Sequence, residues 1–416
     1  MMGRRKKLVG IIFGVIVVAC LLFFGTGCEQ FGSVPKGSRL ELISQSKNYD
    51  QELSQFVNRR PKILETMGEG HGFWTNPLKR LTHNFFFNRN QTEPLMALPE
   101  DRGPVGSDFL DSKNTIKFIW LGHSTILVSM DNKIILIDPV FSQSASPLEG
   151  FLNRYQPAAL SLDQLPKIDY ILISHDHYDH LDMKTIKKFR NKDVKFILPL
   201  GVASHLESWG VKASQIVERD WWGDANIDGL SFICAPAQHF SGRMGPINKM
   251  KTLWASWIVR SKNNSFYFSG DSGYDAHYKK IGQKFGPFDL VFMDSGQYNI
   301  RWKAVHNMPN EVIQGFLDLK GRHLVPVHWS MFTLSLHNWY DPIVESSKRA
   351  KALGLSIMTP RLGQVVRLDS KNFFEKWWED LVGNDLSASL TPKRQVDLAS
   401  GPVAQQELYF GKSDIE

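Results

Sequence analysis

The stretch His175-Asp176-His177-Tyr178-Asp179-His180 places four metal-ligand side chains within six residues, directly after the apolar run Tyr170-Ile171-Leu172-Ile173. In an extended segment, residues two apart point the same way, so His175 and His177 can share one ion. The turn after His177 aims Asp179 and His180 elsewhere. One cation cannot easily take all four ligands from so short a loop, whereas two ions about 3.5–4 Å apart divide them two and two. Imidazole combined with carboxylate suits zinc or a similar first-row divalent ion. The spacing reads as part of a dinuclear metal site.

Three more residues could complete it. His239 follows the apolar run that ends at Ala235, Asp271 follows Phe266-Tyr267-Phe268, and His328 closes Val325-Pro326-Val327. Seen singly, each would be a core histidine or a turn aspartate. Together they share one placement, just past a strand, where the loops of a sandwich converge.

The elements that must position these residues begin at Thr115. Short β-rich runs are expected at Ile116–Trp120, Thr125–Met130 and Lys133–Ile137, with Asp131-Asn132 as a hairpin turn. Beyond the metal motif, helices are expected at Met183–Arg190, Val202–Trp209, about Tyr274–Lys284, Asn310–Leu319 and Pro342–Leu353. Strands are expected at Lys195–Leu198, Leu230–Ala235, Trp254–Arg260, Ser265–Ser269, Leu290–Met293 and His323–Val327. Two groups of strands with helices outside them predict an α/β protein built as a four-layer αββα sandwich. Upstream, residues 29–37 carry Gly, Ser and Pro, as in a tether. Leu40–Asn58 reads as a polar helix. Pro61–Ser112, with Phe85-Phe86-Phe87, reads as an irregular extension packed on the main domain, membrane contact being the sharper alternative. The expected division is 1–28 membrane segment, 29–114 tether and extension, 115–383 main domain carrying the metal motif and 384–416 mobile tail.

Lys plus Arg number 49 against 42 Asp plus Glu, and four of the basic residues are Arg4-Arg5-Lys6-Lys7. No basic stripe with interleaved aromatics appears, so nucleic acid is not an expected partner. The basic tetrad precedes an apolar or small-residue run from Leu8 to Phe24 and then Gly25-Thr26-Gly27-Cys28-Glu29. That order fits an export signal. The small residues before Cys28 resemble a bacterial lipobox, which implies lipidation of Cys28 and a membrane-anchored protein of the bacterial cell envelope. Cys20 offers a competing position, and an uncleaved signal anchor is the alternative. Cys234 reads as a buried core thiol, with no disulfide framework.

From Thr115 to Gly363 the chain resembles the metallo-β-lactamase-fold hydrolases, most closely the N-acylphosphatidylethanolamine-hydrolysing phospholipase D group. The resemblance rests on Leu121-Gly122-His123-Ser124-Thr125, Ile137-Asp138-Pro139-Val140-Phe141-Ser142, Ser174-His175 through Leu181-Asp182, Asp220-Trp221-Trp222, Gly270-Asp271-Ser272-Gly273-Tyr274, Phe285-Gly286-Pro287-Phe288-Asp289 and Val327-His328-Trp329. It implies that His175, His177 and His239 hold one Zn2+, that Asp179, His180 and His328 hold a second, and that Asp271 bridges them. It also implies a membrane phospholipid as substrate. Two positions depart from the group: Asp294, before Ser295-Gly296-Gln297-Tyr298, and Ser330, after His328-Trp329. Both are expected near the pocket, where they would alter headgroup preference.

A hydroxide shared by two divalent ions is available at neutral pH, because bound water falls from a pKa of 15.7 to about 7, and it can attack phosphorus in line. Asp271 and Asp179 would hold the catalytic centre, with His306 as candidate proton donor to the departing alkoxide. His123, Tyr298 and Trp302 are candidate substrate contacts, as is Trp221-Trp222 with less support. His71, His83, His205, His277, His323 and His337 read as surface or core residues. The expected activity is phospholipase D-type cleavage. A metal-dependent lactonase or cyclic-phosphodiester hydrolase and a non-catalytic lipid-binding envelope protein are the alternatives.

Overall fold

A computed structural model describes residues 28–67 and 90–390. Its first regular pair is a short hairpin, β1 (Tyr49–Asp50) with β2 (Gln55–Phe56). The main body opens with an antiparallel meander, β3 (Ile116–Trp120), β4 (Ile126–Met130) and β5 (Lys133–Ile137). Asp131 and Asn132, which turn β4 into β5, are both left-handed (φ 47° and 60°), the geometry that matches the twist of a two-residue hairpin. Parallel strands β6 (Tyr170–Leu172), β7 (Lys195–Pro199) and β8 (Ile216–Arg219) continue this sheet. The second sheet holds β9 (Asp224–Ile227), β10 (Leu230–Ala235), β11 (Ser256–Arg260), β12 (Ser265–Phe268), β13 (Phe288–Asp294) and β14 (Gly321–Val327). The last strand, β15 (Val365–Arg367), returns to the outer side of β3. The orders are β15-β3-β4-β5-β6-β7-β8 and β14-β13-β12-β11-β10-β9.

Alternation along each strand builds the layers. Phe118, Trp120, Val128 and Ile135 face inward and meet Phe232, Trp257, Phe266 and Phe292 of the other sheet in one core. Phe118 and Phe292 touch edge to face across the gap, with centroids 5.2 Å apart. Their neighbours Ile119, Leu127, Leu136 and Ile171 face out and pack on Ile186, Phe189 and Leu206, from the helices Met183–Phe189 and Ala203–Ser208. On the far side Ile258, Tyr267 and Val291 pack on Tyr278, Ile281, Val312 and Phe316, from His277–Phe285 and Pro309–Asp318. The result is the αββα sandwich. Apolar residues on both faces of a strand are needed when helices cover one face and a second sheet the other.

The structure departs from the sequence expectation upstream and downstream of this body. The helix expected over Leu40–Asn58 is only Ser38–Ser44. The hairpin replaces the rest, because Phe56 is fully buried in the main core and its amide donates to the Met250 carbonyl at 2.8 Å. The tether is packed rather than free. Ser33 N–H donates to His205 Nδ1 (3.1 Å), Trp209 Nε1–H to the Glu29 carbonyl (2.8 Å), and Arg243 Nε–H to the Gln30 carbonyl (2.9 Å). Gly32, at φ 66°, lies so close that a Cβ there would sit 2.2 Å from His205 Nδ1. Strands β8, β9 and β15 were not foreseen, being short and at sheet edges or joined to them.

Where a mobile tail was expected from residue 384, a helix spans Trp377–Leu390, and residues 391–416 lie outside the described residues. Trp377 holds this helix down by stacking on Trp329 (5.5 Å) and Trp339 (6.4 Å), and Trp329 stacks in turn on Trp120 (5.3 Å). The signal-like segment with Cys20, the Phe85-Phe86-Phe87 run, His71 and His83 lie outside the described residues. No helix among the described residues is long and apolar enough to cross a membrane.

Trp377→Ala should cost about 3–5 kcal/mol in chemical denaturation, as expected for a buried tryptophan removed from a core. Phe373→Ala, at a position 79% exposed, should change stability by no more than about 0.5 kcal/mol.

Candidate metal centre

Strands β3, β6, β10, β12, β13 and β14 all deliver their C-terminal ends to one edge of the sandwich. Past β6 lie Ser174 and His175, past β10 His239, past β12 Asp271, and past β14 His328. The tight turn after His177 is closed by His180 N–H and Leu181 N–H, which both donate to the His177 carbonyl (3.1 and 2.8 Å). Asp182 then caps the next helix by accepting from Lys184 N–H at 3.0 Å. The seven side chains singled out by their position in the sequence converge here.

Hydrogen bonding fixes which nitrogen of each ring faces inward. Ser174 Oγ gives its proton to Asp138 Oδ2 (2.5 Å), so it accepts from His175 Nδ1–H (2.9 Å) and leaves His175 Nε2 as a lone pair. His239 Nδ1–H donates to the Val305 carbonyl (3.1 Å), leaving Nε2 likewise. Both Nε2 atoms face His177 Nδ1, at 2.9 and 3.2 Å. One ring proton cannot satisfy three nitrogens, whereas a cation accepts all three lone pairs. Asp271 Oδ2 lies 3.8 and 3.7 Å from the same two Nε2 atoms.

A second group adjoins the first. His180 Nδ1–H donates to Asp138 Oδ2 (2.7 Å), which turns the Nε2 lone pair toward Asp179 Oδ2 (3.3 Å) and Asp271 Oδ1 (3.1 Å). His328 Nδ1 lies 3.2 Å from Asp294 Oδ1, and its Nε2 lies 3.3 Å from Asp179 Oδ2 and 3.2 Å from Asp271 Oδ2. Asp271 thus touches members of both groups. His180 Nε2 and Asp271 Oδ1 are buried without a hydrogen-bond partner, a condition that costs about 1–3 kcal/mol per group unless something else satisfies it. A donor set of imidazoles and carboxylates with orphaned inward atoms fits first-row divalent ions.

The electrostatics agree. Burial and neighbouring imidazoles hold His175 and His239 well below the ordinary histidine range. Burial opposes charge on His180 and His328 too, but Asp271 and Asp179 drive His180 well above that range, and Asp271 and Asp294 do so for His328. Against its own burial, Asp271 is held well below the usual carboxylate range by His180 and His328. Positive charge is therefore favoured where the second group converges, and protons there are what an entering ion would displace.

Not every expected residue lines the cavity. His123 is buried behind the centre, where Nε2–H donates to Asp179 Oδ2 at 2.9 Å and burial with His328 pushes its pKa down to about 4. It contacts Asp179 and is not among the residues that line the cavity. Tyr298 stacks on His337 (4.5 Å) away from the cavity wall. Trp221 is core, donating to the Trp254 carbonyl, and Trp222 stacks on Phe285. Asp294 and Ser330, expected near the pocket, are both fully buried. Asp294 Oδ2 accepts from His306 Nδ1–H at 2.9 Å, so one carboxylate backs both His306 and His328. His205, read as a surface or core residue, is buried against Asp176 (3.1 Å).

His306 and Trp302 do line the cavity, a space of about 300 Å³ over the metal-ligand cluster, with Met67, Phe240, Val305 and Leu334 as further apolar wall. Gln297 also lines it. Sequence reading missed Asp138 and Ser174 as supports, although Asp138 was a ligand-type residue just past β5. Backbone strain gathers at this edge, where His123, Asp138, Gln297, His328 and Ser330 are all left-handed non-glycine residues, as is common where geometry serves a site.

Asp138→Asn keeps the size of the side chain that receives Ser174 but removes the charge facing His180. It should weaken divalent-ion affinity by about 10–100-fold, the usual effect of losing a ligand's outer partner, as measured by competition with a chromogenic chelator. An unchanged affinity would show that Asp138 does not support the centre.

A family model described as beta-lactamase superfamily domain matches residues 133–329. An uncharacterised protein of Mycobacterium tuberculosis is 40% identical over 339 residues, 80% of this chain and 88% of that protein. The N-acyl-phosphatidylethanolamine-hydrolyzing phospholipase D 1 of Caenorhabditis elegans is 34% identical over 250 residues, 57% of this chain and 70% of that protein. A Klebsiella pneumoniae protein named outer membrane protein RomA is 46% identical over 101 residues, 24% of this chain and 75% of that protein. With that likeness in sequence and a ligand-bearing edge on an αββα sandwich, the chain belongs to the metallo-β-lactamase superfamily as a metal-dependent hydrolase, with N-acylphosphatidylethanolamine-hydrolysing phospholipases D among its homologues.

Proposed function

We propose that the protein is a dizinc phosphodiesterase that cleaves N-acylphosphatidylethanolamine-like phospholipids in the manner of a phospholipase D. The observation that carries this reading is the mixed lining of the cavity: carboxylates and imidazoles together with Met67, Phe240, Trp302, Val305 and Leu334. A phosphodiester suits the first set and an acyl chain the second. The relative from C. elegans, named for this reaction, supports the substrate class.

His175, His177 and His239 would hold one ion and Asp179, His180 and His328 the other, with Asp271 between them. When bound, two such ions supply a hydroxide at neutral pH and neutralise charge growing on the phosphoryl oxygens. The protein's own groups do the rest. Asp271, in contact with both groups, fixes where a nucleophile can stand. His306 has Nδ1–H committed to Asp294, which leaves Nε2 for the cavity and for the oxygen of the departing alcohol. The Asp294 carboxylate compensates the imidazolium and holds its ring plane. The apolar wall excludes water from the scissile bond.

The envelope location rests on the order of residues 1–28: basic, apolar, small, then cysteine. The name of the Klebsiella relative is consistent with it. Lipidation is assigned to Cys28. In the native host, Cys28→Ser should leave an unprocessed, signal-bearing form and Cys20→Ser should not. Mass spectrometry of the mature N-terminus checks this, and a mature chain starting at Cys20 would reverse it.

Metal-replete protein should carry about two divalent ions per chain, and no more than one tightly held ion by elemental analysis would remove the dinuclear scheme. His306→Ala should lower turnover by roughly 10²–10⁴-fold, least for leaving groups of low pKa, while Asp271→Asn should abolish it. Hydrolysis in oxygen-18 water should label the phosphatidate. Label in the released alcohol, or turnover of lactones without cleavage of any phospholipid, would overturn the assignment.

A further inference from the structure

Outside the metal centre, the residues between β5 and β6 form a loop with an unusual combination of order and exposed apolar surface. Arg154 N–H donates to the Gln143 carbonyl (2.8 Å) and Ala145 N–H to the Leu152 carbonyl (3.0 Å), so the loop closes as a hairpin. Ser144 Oγ ties its neck twice, donating to Asn153 Oδ1 (2.6 Å) and accepting from Gly150 N–H (3.1 Å). Gly150 and Leu152 are left-handed, at φ 91° and 51°. A leucine held in that region is strained unless the surrounding bonds over-determine it. Yet the tip they shape buries little: Leu148 is 38% exposed, Phe151 63% and Leu152 41%. Three large apolar side chains within five residues, on a hydrogen-bonded loop, differ from singly scattered surface leucines.

The same face is where the chain leaves toward its N-terminal apolar run. Gln30 lines a cavity of about 310 Å³ together with Ser142, Glu149, Gly150, Tyr178 and Lys184. The Gln30 carbonyl also accepts from Arg243, four residues before Ile247, which is 74% exposed. Leu8 to Phe24 are apolar or small, and Gln30 follows that run by six residues. Any bilayer that takes up that run must therefore come close to Gln30 and to the loop beside it. The chain links this face to the metal cavity: His177 lines the metal cavity and the next residue, Tyr178, lines the one beside Gln30 and donates to the Arg243 carbonyl at 2.8 Å. Two cations beside the loop are matched, Lys184 with Glu149 and Lys187 with Glu29, while Lys249 near Ile247 is exposed over the Phe240 ring, so the contact proposed at the loop tip is by apolar insertion.

We infer that the Leu148–Leu152 tip, with Ile247 and the Cys28–Gln30 turn, is the face by which the protein rests on a phospholipid bilayer, presenting the metal cavity to lipid in the same membrane. This inference rests on the membrane-directed reading of residues 1–28 and on a phospholipid substrate. Apolar side chains of such a face enter the boundary between headgroups and acyl chains by about 5–10 Å.

The test uses the full chain in phosphatidylcholine vesicles, with an environment-sensitive fluorescent amino acid in place of Phe151 or, as a control on another face, of Leu353, which is 59% exposed. A label at 151 should be quenched by nitroxide carried on the lipid and protected from aqueous iodide, with the reverse at 353. Equal iodide access at both positions would overturn the inference. Independently, Leu148→Asp combined with Phe151→Asp should slow cleavage of vesicle-embedded N-acylphosphatidylethanolamine by about tenfold or more, since two buried apolar contacts are lost. Hydrolysis of a water-soluble aryl diester should stay unchanged. Equal rates for parent and variant on vesicles would also count against the face. Lipid contact at 151 without any phospholipid cleavage would fault the proposed activity and leave the docking face standing.

Discussion

Five imidazoles and two carboxylates are turned toward one another inside this protein, where positive charge, from protons on His180 and His328 or from cations, must balance the carboxylates and inward lone pairs, and the rest of the structure depends on holding them there. Each inward nitrogen is chosen by what its ring does on the other side. His175 is turned by Ser174, His180 by Asp138 and His239 by the Val305 carbonyl, with Asp294 close to the outer nitrogen of His328. Asp138 is the hub, receiving Ser174 through its backbone amide and its hydroxyl as well as His180. Were those outer partners absent, the rings could rotate or protonate, and the inward lone pairs would be lost.

The sandwich supplies the convergence. Parallel strands in both sheets end at one edge, so residues far apart in the chain arrive together without long loops. Left-handed backbone at His123, Asp138 and His328 then directs side chains into a small volume. That strain persists because the surroundings are rigid. Behind His328, Trp329 lies in a stack running from Trp120 to Trp377, which ties the site to the last helix of the described chain. At the other end, Asp176, inside the metal motif, receives His205, which in turn accepts Ser33 N–H. The N-terminal segment is therefore joined to the metal loop through one buried histidine.

The two departures from the resembled group take on a different meaning in three dimensions. Asp294 does not reach the cavity, yet it contacts two of the histidines that do, His306 and His328. It acts through the outer nitrogens of those two rings and favours the charged form of His328, without itself lining the cavity. Ser330 is buried with a left-handed backbone immediately beyond the ligand-bearing turn, and nothing in the structure gives its hydroxyl a role.

The metal motif and the strand-end placement of His239, Asp271 and His328 were legible in the sequence because ligand type and strand periodicity are local properties. Apart from the short edge strands β8, β9 and β15, the order of strands and helices in the main body was legible for the same reason, since covered strands read as apolar runs and the Asp131-Asn132 turn has its own chemistry. Local pattern could not show that Phe56 is drawn into the core, that Gly32 and Ser33 pack on His205, or that Trp377 completes a tryptophan stack, because each depends on a partner more than 40 residues away. The same holds for His123, Tyr298 and Asp294. Residue type made the first two candidate substrate contacts and the family resemblance made the third a pocket residue, but only the packing of two sheets decides whether a side chain near a site faces the cavity or stands behind its wall.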